Sequence, residues 1–159
     1  MRIEVDAEDV QRRLRSMVDL DGIIERRCAN RIQETMREDA VKKLTESKAV
    51  DTGVLRASIE TDDGYNSFVE HPEEGVSVGI RTDVSYALFI EYGTGPKGDP
   101  EIPHTSKPSW VYPTGDPEKP FRVAVSQPAR PFMRPALYKN RKAFVKIIQE
   151  GIRDEWEAS

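Results

Sequence analysis

Residues 24–44 read IERRCANRIQETMREDAVKKL, and apolar or small side chains recur at Ile24, Cys28, Ile32, Met36, Ala40 and Leu44. Steps of three and four are the period of an α-helix with one buried face. Glu25, Arg26, Glu34, Glu38 and Lys42 fill the opposite, solvated face. Upstream, Val10, Leu14 and Met17 keep the same rhythm until Asp21 takes the apolar slot and Gly22 follows it. The pattern predicts two helices or one kinked helix, capped near Asp6, jointed at Asp19 to Ile23 and ending near Ser47 to Val50. The polar Asp21 and the irregular spacing argue against coiled-coil heptads.

Beyond this helix the rhythm changes. Leu55 to Thr61 is predicted as a strand, with a turn at Asp62-Asp63-Gly64. Ser67 to Glu70 is a second strand. Glu73-Glu74-Gly75 turns the chain into Val76 to Ile80, whose alternation of Val76, Val78 and Ile80 marks a half-buried strand. Tyr86, Ala87, Phe89 and Ile90 form the apolar set of a short helix that Gly93 and Gly95 terminate. Gly93 to Pro120 holds seven of the 11 prolines, which excludes regular helix and internal ladder pairing there. A stretch of this length reads as a functional loop or as disorder, with Trp110, Val111 and Tyr112 able to anchor a short strand inside it. Phe121 to Val125 is the last strand, with Phe121, Val123 and Val125 on one face. A C-terminal helix begins with Pro131 or Pro135 in its first turn. Leu137, Phe144, Ile148 and Ile152 mark its face, Ala136, Ala143 and Ile147 widen it, and Trp156 seals the end.

Helical, strand and Pro-rich segments thus follow one another along the chain. Residues 1–159 form one domain: helical over 6–50, sheet and short helix over 51–92, Pro-rich loop over 93–120, strand and helix over 121–157. At 159 residues the chain is long enough to bury a core without staples.

Composition removes several function classes. Hydrophobic residues are 37%, charged residues 33% and the mean hydropathy is -0.63. No run approaches the roughly 20 apolar residues of a membrane span. Glu4, Asp6, Glu8 and Asp9 stand where a signal peptide needs apolar residues. Cys28, a single cysteine read as a core thiol, excludes an intrachain disulfide or a thiolate metal cluster. His71 and His104, read as loop residues, are too few and too far apart for a histidine metal site. No metal, cofactor or catalytic residue is expected.

The net charge of -4 argues against a broad nucleic-acid footprint, but its distribution is polar. Met1 to Val50 is neutral, Asp51 to His104 carries a net -8, and Phe121 to Gln149 holds seven basic residues and no acidic one. Three readings stay open: internal neutralisation, an acidic side that meets a neighbour's basic side, and nucleic-acid contact through 121–149.

Asp51-Thr52-Gly53 invites an aspartic-protease reading, which needs two carboxylates sharing a proton and a β context. The triplet occurs once and a charged helix precedes it. A turn is the better reading, with Asp51 as a backbone cap and Gly53 as the bend. Gly93-Thr94-Gly95 lacks the spacing and lysine of a phosphate loop.

Three ordered segments carry a family resemblance: Asp51–Ile59 (DTGVLRASI), Tyr86–Gly95 (YALFIEYGTG) and Ala129–Leu137 (ARPFMRPAL). With the preceding helix they resemble the tail-component or tail-completion family of lambdoid tailed phages and prophages. The resemblance spans roughly Val10 to Ile152. It implies an α+β fold, with a small antiparallel or mixed sheet packed against long N-terminal and C-terminal helices and a long Pro-rich loop. It implies a structural subunit of the neck or tail that completes the tail and joins it to the head, without catalysis. It further implies self-association in a ring matching the sixfold tail. The implied partners are a head connector or adaptor and a tail tube or terminator, with no membrane and with DNA passing the lumen. The location is the virion, preceded by the host cytoplasm during assembly. On this reading Arg56, Glu91, Trp110, Tyr112, Arg130 and Arg134 are interface candidates. Arg56 points toward Glu91 or a neighbour. Glu91 fixes the exit of the Pro-rich stretch. Trp110 and Tyr112 either dock a partner or pin the loop to its own core. Arg130 and Arg134 either flank a helix start anchored by Phe132 and Met133 or pair with Glu91 or Asp51 of the next subunit. The alternative is a nucleic-acid-binding module using 121–149.

Overall fold

The four-residue rhythm of the first segment is the spine of the fold. The computed structural model describes residues 19–47, 53–62 and 64–158. The helix expected from Asp6 and the turn residue Asp51 lie outside the described residues. Asp19 caps α1 (Leu20–Ile23), its carboxylate accepting the Gly22 N–H at 3.0 Å, which fits the expected joint. A single π turn, Ile24–Cys28, leads without a break into α2 (Ala29–Glu46). Cys28, Ile32, Met36, Ala40 and Leu44 are all buried along one stripe. The π turn brings Cys28 against Gly151 of the C-terminal helix, where a Cβ would collide with the Cys28 sulfur. The thiol donates to the Ile147 carbonyl at 3.6 Å.

The segment expected as the first strand is a helix instead, α3 (Val54–Glu60). Leu55 and Ile59 suit a period of two or of four, and the helix needs no burial of Ala57. Leu55 and Ile59 point into the core while Ala57 is exposed, and Arg56 and Glu60 pair at 2.7 Å one turn apart. Gly53 makes the bend at φ 75°, a left-handed conformation that glycine adopts without a Cβ penalty.

β1 (Ser67–Glu70) and β2 (Ser77–Ile80) form an antiparallel ribbon with Phe68 opposite Gly79. The missing side chain of Gly79 leaves room for the Phe68 ring, and Arg81 lies over the same ring. This ribbon packs on α2, where the buried Gln33 amide donates to the Phe68 carbonyl at 2.9 Å. α4 (Ala87–Tyr92) follows as expected and stops at Gly93.

The stretch 93–120 is not one long loop. It holds a 3-10 turn at Gly95–Lys97 and β3 (Ser109–Pro113). β3 pairs antiparallel with β4 (Phe121–Val125), and a bridge between Thr94 and Gln127 closes the base. The expected single sheet is thus two separate two-stranded ribbons. Prolines at 108, 113, 120 and 128 bound β3 and β4 and deny them further ladder partners.

The C-terminal helix is also divided, into α5 (Met133–Lys139) and α6 (Arg141–Ala158). Asn140 makes the break. Its amide bonds the Ala136 carbonyl at 2.9 Å and the Asp39 carboxylate at 2.6 Å, competing with the helical ladder. Ala136 and Ile147 are the buried residues of this face, Phe144 and Ile148 pack at its edge, and Leu137 is exposed. The core lies where α2, α3, β2, α5 and α6 meet, with Phe132 and Leu44 wholly enclosed. Burying each such side chain contributes about 1.5–3 kcal/mol.

Candidate functional site

The site is built around Glu91, on the inner face of α4. Phe132, at φ -128°, precedes the first turn of α5, and its own side chain offers no cap. The first amides of a helix have no partner within it. Glu91 supplies the cap from 41 residues upstream. One carboxylate oxygen accepts the N–H groups of Phe132 (2.7 Å) and Met133 (2.9 Å), and the other accepts that of Arg134 (3.1 Å). A carboxylate at a helix N-terminus also meets the positive end of the peptide dipoles. Glu91 is 4% exposed, so its charge needs these donors.

Arg134 completes the arrangement. Its Nε donates to Glu91 at 3.1 Å, and its Nη2 pairs with Asp99 at 2.7 Å. The guanidinium lies 4.6 Å from the centre of the Tyr92 ring. Pairing with Asp99, then with Glu91, holds the guanidinium above its ordinary pKa. The Glu101 backbone N–H, then Arg134, hold the Asp99 carboxyl below its usual range.

Tyr92-Gly93-Thr94-Gly95 forms the foot of the β3–β4 ribbon. Gly93 has φ 69°, and a Cβ there would stand 2.5 Å from the Ala129 amide nitrogen. Thr94 and Gln127 exchange backbone bonds at 2.9 and 3.1 Å, and the Ser126 hydroxyl donates to the Thr94 carbonyl at 2.7 Å. The Tyr92 carbonyl accepts the Asp99 N–H at 2.7 Å, and the His104 ring nitrogen donates to the Asp99 carbonyl at 2.7 Å. At the other end of α4, the Tyr86 hydroxyl accepts the Leu55 N–H at 3.2 Å. The described parts of all three segments singled out in the sequence therefore touch one another through α4.

The candidate residues separate into two groups. Glu91 and Arg134 come together within one chain: its own α4 provides Arg134 with a carboxylate. Phe132 is buried, in keeping with the anchored helix start. Arg56 turns to Glu60 rather than to Glu91. Trp110 is half-buried against a groove beside α4, Tyr112 is 41% exposed, and Arg130 is exposed with no carboxylate partner among the described residues. Asp99, Tyr92 and Tyr86 are the residues that sequence reasoning missed. Asp99 carries no local signal, because its partner lies 35 positions away. His71 is exposed, 3.4 Å from Glu25.

The chemistry available here is cohesion. Among the described residues no group of three or more His, Cys, Asp or Glu is placed to hold a metal ion. No helix among them is long and apolar enough to cross a membrane.

No curated protein and no solved structure matches the chain. A family model described as bacteriophage HK97-gp10, putative tail-component, matches residues 8–93, more than half of the sequence. Glu91 lies inside that span and clasps the 129–137 segment beyond it. The chain belongs to this bacteriophage HK97-gp10 tail-component family: it is a virion-associated structural protein with an assembly role, not an enzyme.

Proposed function

We propose that residues 1–159 act as one domain of a neck or tail subunit, which completes the tail and joins it to the head by ring assembly. The observation that carries this reading is the β3–β4 ribbon: it has no core of its own, yet its foot is fixed by the buried Glu91 cap. An arm held at one end and unsatisfied along its length suits a protein whose work is to bind neighbours, because pre-organisation lowers the cost of binding. The partners are further copies of this chain in a ring matching the sixfold tail, a head connector or adaptor on one side, and a tail tube or terminator on the other. Arg56, Trp110, Tyr112 and Arg130 are the candidates for direct contact. Glu91 and Arg134 position the arm. Before assembly the chain resides in the host cytoplasm.

One observation favours a second reading. Arg122, Arg130, Arg141 and Lys142 have no carboxylate partner among the described residues, so 121–149 keeps several free cations for phosphate. Retention on DNA that falls steeply with salt supports that reading. The deciding experiment is electron microscopy of a phage lysate in which this gene alone carries a stop codon. Separate DNA-filled heads and separate tails are expected. Intact infectious particles would overturn the joining role.

A further inference from the structure

A groove of about 210 Å³ lies over the first long helix, between the β1–β2 ribbon and the C-terminal helices. Its floor is the stripe from Ile24 to Met36. Val76 and Val78 form one wall, and Leu137 of α5 with Phe144 and Ile148 of α6 form the other. Ile24, Val78, Phe144 and Ile148 pack against the buried cluster, so the groove is the open margin of the core. Yet all four are only partly buried, and Leu137 is 42% exposed. Among the described residues every one that lines it is apolar. A site for a small ligand adds a few placed polar groups to such a lining. This groove has none, and its chemistry fits an apolar stripe of polypeptide.

The described chain begins beside it. Asp19, the cap of α1, has ψ 59°, outside the helical range. Its carboxylate accepts the Gly22 N–H at 3.0 Å and pairs with Arg26 at 3.1 Å, which fixes that bend. A helix arriving from upstream therefore cannot run straight into α1 and has to change direction at Asp19. Ile24, at one end of the groove floor, follows directly on α1.

The residues before Asp19 lie outside the described residues, but their sequence supplies what the groove lacks. Val10, Leu14 and Met17 recur at steps of four and three, with Arg12 and Arg15 on the opposite side. The helix that the sequence predicts from Asp6 has the length of the groove floor. At a rise of about 1.5 Å per residue, Asp6 to Val18 and Ile24 to Met36 each span about 18 Å. A segment on so short a tether has an effective concentration on the order of millimolar, which a free partner has to match by affinity.

We infer that Asp6–Val18 folds back at Asp19 and lays Val10, Leu14 and Met17 into this groove of its own chain, completing the core between the β1–β2 ribbon and α6. The inference stands apart from the joining role proposed above. It closes this side of the molecule to neighbours, so contacts between copies or with other proteins fall to other faces.

In the full chain, Val10→Cys is combined in turn with Val76→Cys and with Ile148→Cys, one on each wall. The variants are mildly oxidised and weighed under denaturing conditions. Cys28 is fully buried and stays silent. The expected product of at least one pair is a disulfide within the monomer. Its yield should be at least tenfold above that of Val10→Cys with Val123→Cys on the β3–β4 ribbon, and independent of protein concentration. Yields no greater than this control at both walls would overturn the inference. So would linkage found mainly as dimers that increase with concentration, because the groove would then hold a neighbour's segment. Leu14→Glu leaves every groove-lining residue in place and gives a second measurement. Hydrogen exchange of the Ser77–Ile80 and Arg141–Ile148 amides should quicken at least tenfold, with that of β3–β4 unchanged. Unaltered exchange at both walls would overturn the inference as well.

Discussion

The foot of the ribbon and its blade adjoin in space and are opposites in environment. At the foot, Glu91 is 4% exposed and satisfied by three backbone amides and a guanidinium. On the blade, Val123 is 68% exposed in a ladder that holds only itself. The foot is over-determined: the charge, the left-handed Gly93 and the Thr94–Gln127 bridge each impose the same geometry. The blade is left under-determined, with apolar surface that water does not favour. Together they describe an arm whose direction is fixed by its own chain and whose apolar face is left uncovered among the described residues.

Four measurements would break or sharpen that contrast. The largest effect is expected for Glu91→Ala. It removes the cap of α5 and leaves Arg134 half-paired, and breaking a buried ion pair typically costs about 3–5 kcal/mol. Urea unfolding of the purified chain measures it, and a loss below about 1 kcal/mol, the scale of an exposed pair, would mean that the foot is not the strong point. Gly93→Ala comes next. Backbone strain at such positions costs about 1–3 kcal/mol, and here the new methyl also meets the backbone of Ala129. Thermal melting should show a clear drop, with the β3–β4 amides losing hydrogen-exchange protection first.

Acid gives a smaller, graded effect. The Asn140 amide, then Lys139, hold the Asp39 carboxyl below its ordinary value. A depressed pKa contributes stability that is present above the ordinary carboxylate value, near 3.9, and is lost as pH falls through the folded value. Asp99 acts in the same direction at the foot. The melting temperature should therefore fall as pH is lowered from neutral toward 3, and Asp39→Asn should flatten part of that slope. The smallest effect belongs to the blade. Val123→Ser should change monomer stability by no more than about 0.5 kcal/mol, while weakening self-association in sedimentation runs. A large loss of monomer stability would show that the blade packs within its own chain after all.

Much of this contrast was legible in the residues. The stripe from Cys28 to Leu44, the helix before Gly93, and the strands at Trp110 and Phe121–Val125 are all where periodicity places them. Leu55 to Thr61 was not, because Leu55 and Ile59 satisfy either period. Burial against α2 selected the helix. The break at Asn140 was equally hidden, since its cause is an aspartate on α2, 101 positions upstream. Of the six candidate residues, sequence reasoning linked Glu91 with the exit from α4 and Arg134 with a helix start. It did not bring the two together within one chain.

By itself, then, the sequence determined what is local: the helical stripe, the turns that need glycine, the prolines that confine β3 and β4, and the family whose model matches residues 8–93. Those features follow from one residue's conformational freedom or from spacing along a few turns. The tertiary structure alone decided which charges are spent inside and which remain outside. A carboxylate beside an arginine reads identically on paper whether the two meet within one chain or across two. Only the closure of α4 onto α5 enclosed Glu91 with Arg134 and left the face of the ribbon uncovered.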